Sequence, residues 1–106
     1  MIYDEPYKKK EELTSALEKF LDGNLSCGYM QEFTWDIIDH FSSSDKRKLP
    51  KEENFERVFW YAIWQVQHLA TEDHISDGSA KVELKETLAY LRGELNLPDE
   101  YIGRRP

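Results

Sequence analysis

Two stretches of this chain hold side chains of the kind that do chemistry. Trp35-Asp36-Ile37-Ile38-Asp39-His40 sets two carboxylates and an imidazole close together, and Thr71-Glu72-Asp73-His74-Ile75-Ser76-Asp77-Gly78-Ser79 sets three acids around a histidine. A carboxylate near an imidazole is material for acid–base catalysis, and acids with histidine are material for a metal site. Neither pattern is developed. The first lacks a pocket and a recognisable catalytic partner. The second lacks the alternating oxygen-ligand order and closing glutamate of a calcium-binding loop. His68 and His74 are six positions apart, a spacing no helical zinc motif uses. The serines lie in linkers without a Gly-x-Ser-x-Gly frame, and the glycines are scattered, so no phosphate-cradling loop forms. Cys27 is the single cysteine, which excludes an intramolecular disulfide and a Cys-rich zinc motif; it reads as a small apolar residue. The chain is read as a non-enzyme, with no catalytic residue, cofactor or metal.

What remains is acidity presented with aromatics. Glu32, Asp36 and Asp39 recur at i, i+4 and i+7, which places them on one face of a helix. Trp35 lies about 160° from the centre of that helix's expected core stripe. A tryptophan beside three carboxylates reads either as a partner anchor or as a side chain covered by a third helix or by the tail. Glu72, Asp73 and Asp77 make a possible second acidic patch. Tryptophan is enriched among interface hot spots, while charges steer encounter. The formal charge of −7 favours basic partners and opposes direct nucleic-acid binding, which needs clustered Lys and Arg. Lys8-Lys9-Lys10 is followed at once by Glu11 and Glu12 and reads as a solvated face.

The elements that must position these residues are helical. Leu13, Ala16, Leu17, Phe20 and Leu21 give the stripe of a first amphipathic helix that starts near Asp4 or Glu5, with Pro6 in its first turn, and stops at Gly23. Ser26 is the candidate N-cap of a second helix to about Phe41, with Tyr29, Met30, Phe33, Ile37 and Phe41 as its core stripe. A Ser-rich linker over 42–50 follows, ending at Pro50. The third helix, Asn54 to Glu72, carries Phe55, Val58, Phe59, Ala62, Val66, Leu69 and Ala70 on one side. Arg57, Trp60, Tyr61, Trp64 and His68 lie on the other. Apolar nearly all round, it reads as a central helix packed on both sides, or as one that exposes part of a Trp60/Trp64 ridge. The last helix is expected from Ser79 or Ala80 to Leu95, with Leu84, Leu88, Leu91 and Leu95 as its buried edge. Tyr101 and Ile102 are placed to fold back across the bundle.

No strand-like alternation of useful length occurs. The expectation is an all-α fold, a single-domain four-helix bundle over 1–106 with a central Trp-rich third helix. With 33% charged and 13% aromatic residues, the chain is too aromatic to be disordered. No apolar run reaches the roughly 18 residues of a membrane span, and the polar opening YDEPYKKKEE does not read as a signal peptide. A cytoplasmic monomer is expected.

On this layout the chain resembles the small immunity proteins of bacterial toxin systems. The likeness is greatest to the helical ones paired with contact-dependent growth inhibition toxins, and looser to immunity proteins of the colicin D type. The resemblance is carried by Lys19-Phe20-Leu21-Asp22-Gly23-Asn24-Leu25-Ser26 closing the first helix, then Phe33-x-x-x-Ile37-Ile38. Phe59-Trp60-Tyr61-Ala62-Ile63-Trp64 and the Leu-rich last helix running into Leu97-Pro98-Asp99-Glu100-Tyr101 complete it. It implies a cytosolic, non-enzymatic protein that binds the C-terminal domain of one cognate toxin, often a basic, tRNA-cleaving nuclease, and blocks its active site. It supplies no contact residues; Glu32, Trp35, Asp36, Asp39, Glu72, Asp73 and Asp77 are candidates on their pattern alone. The other function in view is that of an acidic helical adaptor or regulatory protein with a different protein partner.

Overall fold

A computed structural model describes residues 5–42, 54–76, 78–98 and 100–101, with side chains described for 9–40, 57–76, 78–98 and 100–101. Five helices follow one another: α1 (Glu5–Leu21), α2 (Cys27–Ser42), α3 (Asn54–Leu69), α4 (Glu72–Ser76) and α5 (Ser79–Leu91). No strand occurs among the described residues. None of the described helices is long and apolar enough to cross a membrane. The linker over 43–53, Asp77 and Ile102 lie outside the described residues.

α1 buries Leu13, Ala16, Leu17 and Phe20, the stripe its spacing predicts. Its stop is backbone-driven. Gly23 adopts φ 84°, and two hydrogen bonds close the turn: Asn24 N–H to the Lys19 carbonyl (2.8 Å) and Gly23 N–H to that of Phe20 (3.0 Å). This is a Schellman cap, which glycine adopts without a Cβ penalty. Residues 22–26 then turn the chain into α2, where the Ser26 hydroxyl accepts the Tyr29 N–H at 3.0 Å, the N-cap that the sequence predicts.

α2 is rotated from its expected orientation. Its buried side is Met30, Thr34, Ile37 and Ile38, while Tyr29 is 46% exposed and Phe33 only half-buried. A polar seam accounts for the rotation. The Gln31 amide donates to the carbonyls of Val66 (3.4 Å), Gln67 (3.2 Å) and Ala70 (3.0 Å) at the end of α3. Gln67 donates back to the Gln31 carbonyl and to the Thr34 hydroxyl. The Val66 carbonyl also accepts the Ala70 N–H at 2.9 Å; the seam gives it a second donor, supplies one to the Gln67 and Ala70 carbonyls at the helix end, and draws the Gln31–Thr34 side of α2 inward. Thr34 tolerates burial because its hydroxyl also donates to the Met30 carbonyl at 2.8 Å.

α3 packs against α1, α2 and α5. Phe59, Trp60, Ala62, Ile63 and Val66 are fully buried, while Arg57, Tyr61, Trp64 and Gln65 on the other side are half-buried and His68 is exposed. The Trp60/Trp64 ridge divides: Trp60 belongs to the core, in edge contact with Phe59 at 4.9 Å between ring centroids, and Trp64 is half-buried.

Two boundaries differ from expectation. α3 ends at Leu69, and Thr71 starts a fifth, short helix by accepting the His74 N–H on its hydroxyl (3.3 Å) and the Ile75 N–H on its carbonyl (2.9 Å). The acidic segment after α3 therefore contains α4, packed on α5, and the described residues hold five helices where four were expected. α5 ends at Leu91, not Leu95. Gly93 takes φ 77°, with Glu94 N–H bonded to the Ala89 carbonyl (2.9 Å) and Gly93 N–H to that of Tyr90 (3.1 Å), a second Schellman cap. Leu95, expected on the buried edge, falls beyond the cap and is 48% exposed; Leu97 is buried in its place.

Candidate protein-binding face

The outward side of α2 carries the acidic residues. Glu32, Asp36 and Asp39 are all exposed, on the surface that the inward turn of Gln31 and Thr34 leaves facing away from α3. Trp35 is 50% exposed. Measured from the observed buried side, it stands at roughly 120°, a flank position that matches half exposure. On the other flank, Tyr29 stacks on Phe33, with ring centroids 6.2 Å apart and planes 16° apart. The face is an acidic strip edged by Trp35 on one side and the Tyr29/Phe33 pair on the other.

Tyr29 was missed because the expected core stripe included it. The signal was Ile38, which that stripe omitted. Adding Ile38 moves the centre toward Thr34 and moves Tyr29 out.

The described acids of the second patch belong to α4. Glu72 and Asp73 occupy the first turn of α4 and are exposed, where carboxylates favour the positive end of the helix. Glu72 lies near enough to Cys27, on the inward side of α2, for its charge to act on that thiol. Asp77 is outside the described residues. These acids have a structural reason to be where they are.

Cys27 packs against the core. Burial first, and the Glu72 charge second, hold its pKa above the usual thiol value, so it stays a thiol and a poor nucleophile. His68 and His74 meet despite their spacing, their ring centroids 5.0 Å apart, because the chain turns between α3 and α4. His74 Nδ1 lies 2.8 Å from the Thr71 hydroxyl. No group of three or more His, Cys, Asp or Glu side chains among the described residues is arranged to hold a metal ion.

The tail is held elsewhere. The Arg57 guanidinium donates to the carbonyls of Leu97 (2.9 Å), Pro98 (3.0 Å) and Tyr101 (3.1 Å). Tyr101 stacks on Tyr61 at 5.4 Å, and Tyr61 meets Tyr90 edge-on at 6.0 Å. The tail as far as Tyr101 thus lies against α3 and α5, and the α2 strip carries no part of this described segment.

No known protein family, curated protein or solved structure matches this chain.

Proposed function

We propose that this chain is a cytoplasmic immunity protein that neutralises the C-terminal domain of a cognate bacterial toxin by covering its basic active site. The observation that carries this reading is the outward face of α2, where a half-exposed Trp35 stands beside the exposed carboxylates of Glu32, Asp36 and Asp39. A nuclease holds phosphates with clustered cations. An acidic strip on a chain of net charge −7 presents matching charge at the rate of encounter, and a desolvated tryptophan adds affinity. The helices support the strip without taking part: the four longer ones form a bundle around α3 as its spine, and α4 is an adjunct to it. Glu72 and Asp73 play no leading part, since the start of α4 accounts for them.

The test is co-expression with the C-terminal domain of a large toxin encoded directly upstream of this chain. The expected result is restored growth and a complex that survives size-exclusion chromatography. If growth is not restored and no complex forms, the immunity reading fails, and the adaptor reading takes its place.

A further inference from the structure

Of the three histidines in the chain, His68 and His74 are exposed and meet across the junction of α3 and α4. On one continuous helix, residues six apart point about 120° away from each other. Here α3 ends at Leu69 and α4 begins at Glu72. The turn between them brings the two rings to 5.0 Å between centroids, with their planes tilted by 48°. The spacing excludes a metal site along one helix, and the turn removes that objection.

The separation is the one that a shared ion requires. Imidazole nitrogens bind zinc at about 2.0–2.1 Å, which puts the ion roughly 3.2 Å from each ring centroid and, for tetrahedral bonds, the two centroids about 5.2 Å apart. The observed 5.0 Å lies close to that value. The χ2 torsion of histidine is soft and both rings are exposed, so each can turn a nitrogen to the ion. A second observation points the same way. The Thr71 hydroxyl lies 2.8 Å from His74 Nδ1. With the proton on Nδ1 the hydroxyl accepts it, and Nε2 keeps its lone pair for a metal. Ligating histidines are oriented by such a hydrogen bond on their other nitrogen. The same hydroxyl accepts the His74 main-chain N–H at 3.3 Å, so Thr71 fixes both parts of that residue.

We propose that His68 and His74 form a two-point clip for a late divalent transition ion, Zn²⁺, Ni²⁺ or Cu²⁺, held by one nitrogen of each imidazole across the α3–α4 junction. Imidazole suits these ions, whereas Mg²⁺ and Ca²⁺ take oxygen ligands. Two protein ligands leave the remaining positions to water, so the site is open, unlike a closed four-ligand structural centre. The ion ties the start of α4 to the end of α3 and stabilises the folded chain by binding it in preference to the unfolded one.

The probes are ZnCl₂ and NiCl₂, titrated into the full chain by calorimetry in a non-chelating buffer, with MgCl₂ as the hard-ion control. The expected result is one saturable site for Zn²⁺ and Ni²⁺ and none of comparable affinity for Mg²⁺. His68→Gln and His74→Gln should each weaken binding by more than about tenfold, since loss of even an outer partner of a ligand costs ten- to a hundredfold. His40→Gln should leave binding unchanged. All three histidines are exposed, so none of these variants should unfold the chain. Added Zn²⁺ should raise the Tm of the unmodified chain and not that of His68→Gln. Lack of a saturable Zn²⁺ site, equal affinity for Mg²⁺, binding that survives loss of either member of the pair, or a Tm unmoved by Zn²⁺ would overturn the proposal. Co-expression with a toxin domain bears on the immunity reading alone, so the two can fail separately.

Discussion

The side-chain amide of Gln31, on α2, donates to the main-chain carbonyl of Ala70, just past α3, at 3.0 Å. One amide that also reaches the Val66 and Gln67 carbonyls closes the end of α3 and sets the rotation of α2. The identity of the outward-facing residues follows from that rotation. The same contact that stabilises the fold thereby presents Glu32, Trp35, Asp36 and Tyr29.

Gln31→Leu leaves the Gln67 and Ala70 carbonyls short of a donor, which costs about 1–3 kcal/mol per buried group left unsatisfied. Urea unfolding should show the midpoint falling with an unchanged slope. The double variant Gln31→Leu/Gln67→Leu should lose close to the sum of its single variants, because the Gln31 amide bonds main-chain carbonyls and the Gln67 amide bonds the Gln31 carbonyl and the Thr34 hydroxyl, so neither side chain is the other's partner. A marked departure from additivity would mean that the two amides act together.

Trp35 and Trp60 should respond oppositely to truncation. Trp35→Ala or Asp36→Lys should weaken binding of the proposed protein partner by at least about 2 kcal/mol, the scale of a hot spot, while thermal stability hardly moves. Trp60→Ala, in the core, should cost about 3–5 kcal/mol of stability. Calorimetry of both variants separates the roles, and unfolding of Trp35→Ala would assign that residue to the core. The association rate should fall as salt rises, through screening of the acidic strip.

Much of the helical plan was legible because it is local. The i, i+3, i+4 stripe of α1, Gly23 past its end and Ser26 ahead of α2 each act within a turn of the chain, and each behaves as its spacing predicts. The miss on α2 is tertiary in origin. Nothing local reveals that Gln31 reaches 39 positions along the chain to Ala70, so the core side of α2 was placed too near Tyr29. Gly93 looked like a weak point inside a longer helix because the Leu84–Leu88–Leu91–Leu95 spacing continues past the true stop. For the candidate site, the placement of Trp35 beside Glu32, Asp36 and Asp39 away from the expected core stripe was legible, while its exposure stayed open between an anchor and a covered side chain. The aromatic edge formed by Tyr29 and Phe33 was not, since it depends on that rotation.

The glycines make a signed prediction. Gly93 holds φ 77° with nothing within 4 Å of an added Cβ, so Gly93→Ala meets backbone strain alone and should destabilise by about 1–2 kcal/mol. Gly28 sits inside α2 at ordinary helical angles, and its added Cβ would meet only the Ser26 hydroxyl at 3.8 Å. Gly28→Ala should therefore stabilise, by up to about 1 kcal/mol. Thermal unfolding of the pair checks both signs together.

Tyr90 gives the chain an alkaline limit. Its hydroxyl donates to the Glu86 carboxylate at 2.7 Å, and that bond first, then burial and the Glu86 charge, raise its pKa to about 12 from an ordinary value of 10. Tyr61 is raised as well, by burial first and then by Tyr101. A phenol with a raised folded pKa binds its proton more tightly in the folded state. The stability this confers is whole below pH 10, the unfolded value, and is lost as pH climbs toward 12. Phenolate absorbance should show Tyr90 titrating late in the folded chain, and Glu86→Gln should return it toward about 10. Tyr90→Phe should flatten part of the stability loss over that alkaline window. The Tyr61 share should remain, because its proton is held chiefly by burial. A Tyr90→Phe profile as steep as that of the unmodified chain would show that the loss comes from elsewhere.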